Sequence, residues 1–199
     1  MYTIIEDCSP YYIRFKFDGM DKIIDICRAE LVNVERDQKF QAIDLSRDAR
    51  LEILDLLPIA KDINLIKQRV SFFITPAGWK HIAHKDGYNH RVSINIPVQI
   101  LDDECITKWY TDDELANYEL EVMDPKLNKA MRNLPTCNTD SHSSIQSFVM
   151  RQDECVLFNT DVWHDFDNRN STHERVILTL RPLDIGNVYF EDAKRLIFK

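Results

Sequence analysis

Two segments of the chain alternate polar and apolar side chains over the length of a β-strand. Residues 91–98 read RVSINIPV, and residues 175–181 read RVILTLR. Successive side chains of a strand point to opposite faces, so each segment has one apolar face and one face with polar groups. The polar faces carry six side chains with hydrogen-bonding groups: Arg91, Ser93, Asn95, Arg175, Thr179 and Arg181. Such a face is either exposed to solvent or lines a polar cavity between two sheets.

The remaining sequence mixes helical and strand patterns. Residues 11–17 alternate as a strand does, and apolar spacing predicts helices over 18–31, after Ser46 and over 190–198. From residue 70 onward the pattern becomes strand, turn, strand. We therefore expect a mainly β, α+β chain, in which helices pack on an antiparallel sandwich or an open barrel of the jelly-roll kind.

One long stretch between the predicted strands is mostly polar. Within it, Thr111 and Glu114 form a capping-box pattern, Asp124 and Pro125 are typical of the start of a helix, and residues 118–123 alternate as a strand. The stretch from 111 to 147 is either a lid over a substrate or only an elaborated loop.

Composition limits the kind of protein. With 199 residues, 44% of them hydrophobic, and no linker-like segment, the chain is predicted to form one domain, residues 1–199. No stretch has the length of a membrane span, and the start lacks a signal-peptide pattern, so we expect a soluble cytoplasmic protein. A net charge of −8 disfavours nucleic acids and anionic membranes as partners. Five scattered cysteines without a CxxC pair indicate reduced thiols.

His84 and Asp86 are one residue apart in the sequence HKD. On a strand they point to the same side, so an imidazole and a carboxylate could share one metal ion. With a distant second histidine they would complete the facial triad of non-haem Fe(II), and His164 is the candidate. A His-x-Asp triplet alone also fits a surface turn, here ending at Gly87. His81 has the opposite parity to His84, which predicts a surface or supporting position.

The order of these residues carries a family resemblance. HKD, then His164 within FNTDVWHDFDN, then Arg175 eleven residues later, resembles the pattern of Fe(II)- and 2-oxoglutarate-dependent dioxygenases. Within that superfamily, RVSINIPV and the segment around His164 look most similar to the aspartyl/asparaginyl β-hydroxylase-like branch. The resemblance covers about residues 70–182. It implies a double-stranded β-helix, which is a cupin-like jelly roll, with its core in that range.

The resemblance also implies cofactors and roles. His84, Asp86 and His164 would be the catalytic metal ligands for Fe(II), and Arg175 would hold the distal carboxylate of the cosubstrate 2-oxoglutarate, with O2 as the oxidant. Arginine suits that role because its planar guanidinium makes charged, bidentate contacts with a carboxylate. Arg91 and Asn95 share a face of their strand and are further candidates for binding the cosubstrate or a substrate. A solvent-facing salt bridge is the alternative for both.

Three functions remain open from the sequence. The first is an oxygenase that hydroxylates an amino-acid side chain or a small metabolite, so that its partner is a small molecule or a peptide. The second is an AlkB-like nucleic-acid demethylase, because Arg175 and Arg181 repeat the Arg-x5-Arg spacing of that group, although Ile177 replaces the usual asparagine. The third is a non-catalytic cupin-like binding module with an incidental His-x-Asp triplet.

Overall fold

The computed structural model describes residues 1–58, 70–86, 91–115, 136–137, 139–140, 142–181 and 188–199. The strands in these ranges are β1 (Tyr2–Cys8), β2 (Tyr12–Phe17), β3 (Gln41–Asp44), β4 (Val70–Thr75), β5 (Trp79–His84), β6 (Val92–Gln99), β7 (Ile106–Tyr110), β8 (Thr136–Cys137), β9 (Gln146–Val149), β10 (Cys155–Asn159), β11 (Trp163–Asn168) and β12 (Arg175–Leu180). The helices are α1 (Met20–Leu31), α2 (Arg47–Leu56), α3 (Asp112–Leu115) and α4 (Phe190–Ile197).

The described strands form two antiparallel sheets. The larger has the order β1-β2-β10-β6-β12-β4-β3, and the smaller has the order β8-β5-β11-β7-β9. Neighbouring strands within each sheet are mostly distant in sequence, as in a jelly roll. The predicted mainly β, cupin-like jelly roll with flanking helices is confirmed.

Helices cover one face of the larger sheet. Side chains of α1, α2 and α4 share one buried apolar cluster with alternate residues of β6 and β12, namely Val92, Ile94, Ile96, Val98, Val176, Leu178 and Leu180. Each buried aliphatic side chain contributes about 1.5–3 kcal/mol to folding. The apolar faces predicted from the alternation therefore pack against helices, and the polar faces must point the other way.

A second apolar cluster lies between the two sheets. Trp109 and Phe148 of the smaller sheet pack there with Phe158 and Ile177 of the larger sheet. Because Ile177 faces this interior, Arg175 and Thr179, two residues away on β12, face it as well. The polar face of β12 thus points towards the smaller sheet and not towards solvent.

Most of the predicted elements that fall within the described residues are present. Ser46 is the N-cap of α2, where its hydroxyl accepts a hydrogen bond from the backbone N–H of Ala49 at 3.2 Å. Helix α3 begins directly after Thr111, but the side chain of Glu114 lies outside the described part, so the capping box stays a prediction. The strand predicted at 118–123, the helix predicted from Asp124 and most of the possible lid also lie outside it.

No helix in the described ranges is long and apolar enough to cross a membrane.

Candidate metal and cosubstrate site

His84 and His164 lie directly opposite each other on neighbouring strands. His84 is the last residue of β5 and pairs in register with His164 near the start of β11. Their ring centroids are 4.6 Å apart. The Nδ1 of His84 lies 2.9 Å from the carbonyl oxygen of Ile82, and that of His164 lies 2.8 Å from the oxygen of Val162. Since a carbonyl only accepts, Nδ1 carries the proton and each Nε2 is free to bind a metal.

Asp86 follows β5 and joins the two histidines. Its backbone N–H donates to the carbonyl oxygen of Thr160 at 3.1 Å, which fixes the turn after the strand. Its Oδ1 lies 3.3 Å from the Nε2 of His84. Ligand atoms of His84, Asp86 and His164 all lie within 4.8 Å of one another. Facial ligands at ordinary metal–ligand distances are ~3 Å apart, so the three side chains fit one divalent ion after small rotations.

The ionisation states of this cluster suit a divalent cation. Burial alone would raise the pKa of Asp86, but the guanidinium of Arg181 and the neighbouring His84 outweigh it and lower this pKa well below its usual range. Burial, together with the neighbouring His84, lowers the pKa of His164 to about 4. The carboxylate is therefore charged and the His164 imidazole neutral near pH 7, which are the forms that bind metal.

Arg175 is a buried cation on the interior face of β12. Arg175 is the first residue of the strand, and it is only 5% exposed. The guanidinium carbon lies 5.5 Å from the ring centroid of Phe166, and Nη2 lies 3.6 Å from the sulfur of Met150. In the described part of the chain, its Nε has no hydrogen-bond partner, and no carboxylate lies within ion-pair distance. Because a buried, unpaired charge is costly, this position calls for an anionic ligand.

The two other predicted binding residues, Asn95 and Arg91, have different surroundings. Asn95 is 6% exposed and faces the interior beside Thr179, its register partner on β12. Arg91 also lies on the inward parity of its strand, but its Nη1 forms an ion pair with Asp161 at 3.0 Å. The guanidinium of Arg91 also stacks over the ring of Tyr189 at 4.3 Å. Roles for both in ligand binding stay predictions.

His81 lies beside the cluster, although its parity in the sequence predicted the opposite face of the strand. Register pairs join His164 to His84 and Phe166 to His81, so three residue steps on β5 match two on β11. This β-bulge turns His81 to the face of His84, because one extra residue reverses the alternation. The ring of His81 is 4.5 Å from that of His84, and the residue is 5% exposed. The structure excludes the surface position predicted for His81 and agrees with the alternative, a supporting position beside His84.

A buried polar network supports the strand of His164 from behind. Asp165 points away from the interior and is fully buried. Its Oδ2 accepts hydrogen bonds from the hydroxyls of Tyr110 at 2.9 Å and Thr139 at 2.5 Å, and Lys80 lies 3.8 Å away. Burial raises the pKa of Asp165, while the two hydroxyls oppose the rise. Sequence reasoning missed this residue, since an aspartate in a strand is usually exposed.

No protein-family model matches the sequence, and no curated protein is similar to it in sequence.

Several solved structures share the fold. EvdO2 from Micromonospora carbonacea var. aurantiaca aligns at a TM-score of 0.57 and 12% identity, over 92% of this chain and 94% of that one. HygX from Streptomyces hygroscopicus, with nickel and 2-oxoglutarate bound, aligns at 0.53 and 11% identity, over 84% and 80% of the two chains. The epimerase SnoN, in complex with Fe3+, alpha ketoglutarate and nogalamycin RO, aligns at 0.52 and 10% identity, over 84% and 77%.

These similarities concern the fold, because the identities are 12% or less. The resemblance to the aspartyl/asparaginyl β-hydroxylase-like branch stays a prediction. On its architecture, the chain has the jelly-roll fold of these 2-oxoglutarate-binding proteins.

Proposed function

We propose that the protein is an Fe(II)- and 2-oxoglutarate-dependent oxygenase that hydroxylates an amino-acid side chain or a small metabolite. The observation that carries the proposal is one interior with two complementary features. His84, Asp86 and His164 bring a metal-binding donor set together there. Arg175 lies on the facing sheet. Its guanidinium is buried and has no carboxylate partner among the described residues.

The three proposed ligands would hold the iron on one side and leave the other side to ligands from solution. When bound, iron, 2-oxoglutarate and O2 together supply the oxidising chemistry, with succinate and CO2 formed alongside the hydroxylated product. Asp86 would offer one oxygen to the metal, while Arg181 contacts the other oxygen at 2.9 Å. Phe158 packs its ring 4.9 Å from that of His164 and limits water on that side.

Arg175 would anchor the distal carboxylate of 2-oxoglutarate. A charged, two-pronged contact in a dry interior fixes the cosubstrate in one orientation. Asn95 would contribute a hydrogen bond to the cosubstrate or to the substrate from the neighbouring strand. Arg91 would add a guanidinium near the start of β6, where its Nη1 lies 3.0 Å from Asp161.

Several finer features belong to the same proposal. The enzyme would act as one domain spanning residues 1–199, in the cytoplasm, on a small-molecule or peptide substrate. Its substrate chemistry would be that of the aspartyl/asparaginyl β-hydroxylase-like branch. Demethylation of nucleic acid is less well supported, because the chain carries a net charge of −8.

The proposal is tested by anaerobic titration with Fe(II) and then 2-oxoglutarate. Chelation of the iron by the keto acid is expected to give a weak visible charge-transfer band at one equivalent of each. On admission of O2, the loaded protein is expected to release succinate. A protein that binds both without any succinate release would be a binding module, and a protein that gives no band would contradict the proposal. Methylated oligonucleotides that accelerate succinate release would favour the demethylase.

A further inference from the structure

Two buried polar side chains on adjacent strands face the interior, and each has an oxygen without a hydrogen-bond partner among the described residues. Thr179 on β12 and Asn95 on β6 are register partners, 2% and 6% exposed. Within the described ranges, the Oγ1 of Thr179 and the Oδ1 of Asn95 have no partner. Buried polar groups are normally satisfied, so this pair is suited to a ligand that enters from the interior.

Arg181 lies on the same face, two residues after Thr179. Its Nη2 contacts Asp86 Oδ2 at 2.9 Å, and its side chain is 22% exposed. Its Nε has no partner in the described part of the chain. A guanidinium has five N–H donors in a rigid fork, so the contact with Asp86 leaves donors for a second acceptor. The packing of this guanidinium 5.0 Å from the ring of Phe73 limits how far it can turn.

The charges of the loaded site leave one positive charge unbalanced. A divalent metal and a 2-oxoglutarate dianion cancel each other, and ligating imidazoles are neutral. Among the described interior residues, Asp86 offsets only one of the two arginines, Arg175 and Arg181. In a low-dielectric interior, such a surplus favours binding of a monoanion over a neutral molecule.

We propose that Arg181, Thr179 and Asn95 bind a carboxylate of the organic substrate next to the iron, so that the enzyme acts on a monoanionic carboxylic acid. This inference rests on the proposed function and names its substrate class. A carboxylate accepts hydrogen bonds from the guanidinium and from the Thr179 hydroxyl, and the Asn95 side chain donates once its NH2 end faces the ligand. A primary amide matches the shape of the carboxylate but leaves the surplus charge unbalanced.

The test measures binding, not turnover, on the anaerobic protein loaded with Fe(II) and 2-oxoglutarate. The probes are propionate, benzoate and N-acetylglycine, each compared with its primary amide by calorimetry. The visible chelate band is followed throughout, so that displacement of 2-oxoglutarate is detected. At least one carboxylate is expected to bind more tightly than its amide by roughly tenfold or more, because charged hydrogen bonds are the stronger ones.

Two variants test whether Thr179 and Arg181 produce the preference for a carboxylate over its amide. Thr179→Val removes one hydroxyl at constant shape and leaves Arg181 and Asp86 in place, so carboxylate affinity is expected to fall by roughly two- to tenfold. Arg181→Gln is expected to abolish the preference for carboxylate over amide. The matched controls are Thr172→Val and Arg28→Gln, at exposed positions, and both are expected to bind as the unchanged protein does.

The outcomes distinguish a failure of the substrate class from a failure of the proposed function. A chelate band without any carboxylate preference overturns the substrate class and leaves the proposed function standing. A preference that survives both Thr179→Val and Arg181→Gln places the carboxylate elsewhere and also overturns the inference. Absence of the band refutes the proposed function, and the substrate class falls with it.

Discussion

The guanidinium of Arg181 contacts the carboxylate of Asp86 at 2.9 Å, and the two residues come from opposite sheets. Asp86 lies just beyond β5 of the smaller sheet, and Arg181 directly follows β12 of the larger one. The contact occupies Oδ2, whereas Oδ1 faces the Nε2 of His84. It therefore fixes which carboxylate oxygen is turned towards the two histidines.

Replacement of Arg181 should weaken metal binding without abolishing it. In Arg181→Gln, Asp86 loses the charged group that orients it, and loss of such a supporting contact typically costs about ten- to 100-fold in metal affinity. Calorimetric titration with Fe(II) or Ni(II) measures the change in metal affinity. The exposed variant Arg28→Gln serves as the control, and equal affinities for the two variants would show that the contact does not orient Asp86.

His164→Ala should eliminate turnover while the protein stays folded. The variant removes one of three proposed ligands, whereas the sheets are held mainly by their apolar faces. Succinate release and the chelate band should both be lost, with circular dichroism unchanged. His173→Ala, at an exposed position, should retain both signals. Global unfolding of His164→Ala would instead indicate a structural histidine.

Arg175→Gln should affect the cosubstrate and spare the metal. Loss of a charge-assisted contact worth about 1.5–3 kcal/mol should raise the 2-oxoglutarate concentration required by roughly ten- to 150-fold. Separate titrations with Fe(II) and with 2-oxoglutarate distinguish the two affinities. Unchanged 2-oxoglutarate affinity would reject the anchor role and make Arg181 the next arginine to test.

Asn95→Ala should impair ligand use at little cost in stability. The Oδ1 of Asn95 has no partner among the described residues, so its removal breaks no hydrogen bond of that oxygen. The concentration of cosubstrate or substrate needed for half-maximal turnover should rise, and the melting temperature should change little. An unchanged kinetic profile, equal to that of the exposed variant Asn33→Ala, would remove Asn95 from the site.

Asp165→Ala should destabilise the fold from behind the site. The change leaves the hydroxyls of Tyr110 and Thr139 without their shared acceptor, and each buried group left unpaired costs about 1–3 kcal/mol. Denaturant unfolding should show a loss of about 2 kcal/mol or more. Retention of full stability would mean that water replaces the carboxylate.

The sequence alone determined the faces of the main strands. Alternation in 91–98 and 175–181 predicted one apolar and one polar side, and the structure places the apolar sides against helices. The sequence also identified His84, Asp86 and His164 as candidates, through the spacing of HKD and the later histidine. These features are local, because side-chain parity along a strand follows from backbone geometry.

Only the tertiary structure decided which residues meet. A bulge in β5 turned His81 to the face of His84, and parity cannot predict an inserted residue. The contact of Arg181 with Asp86 and the hydroxyls on Asp165 depend on strand order and register, which join residues 95 and 55 positions apart. Such pairings are set by the packing of whole sheets, so no local pattern in the sequence carries them.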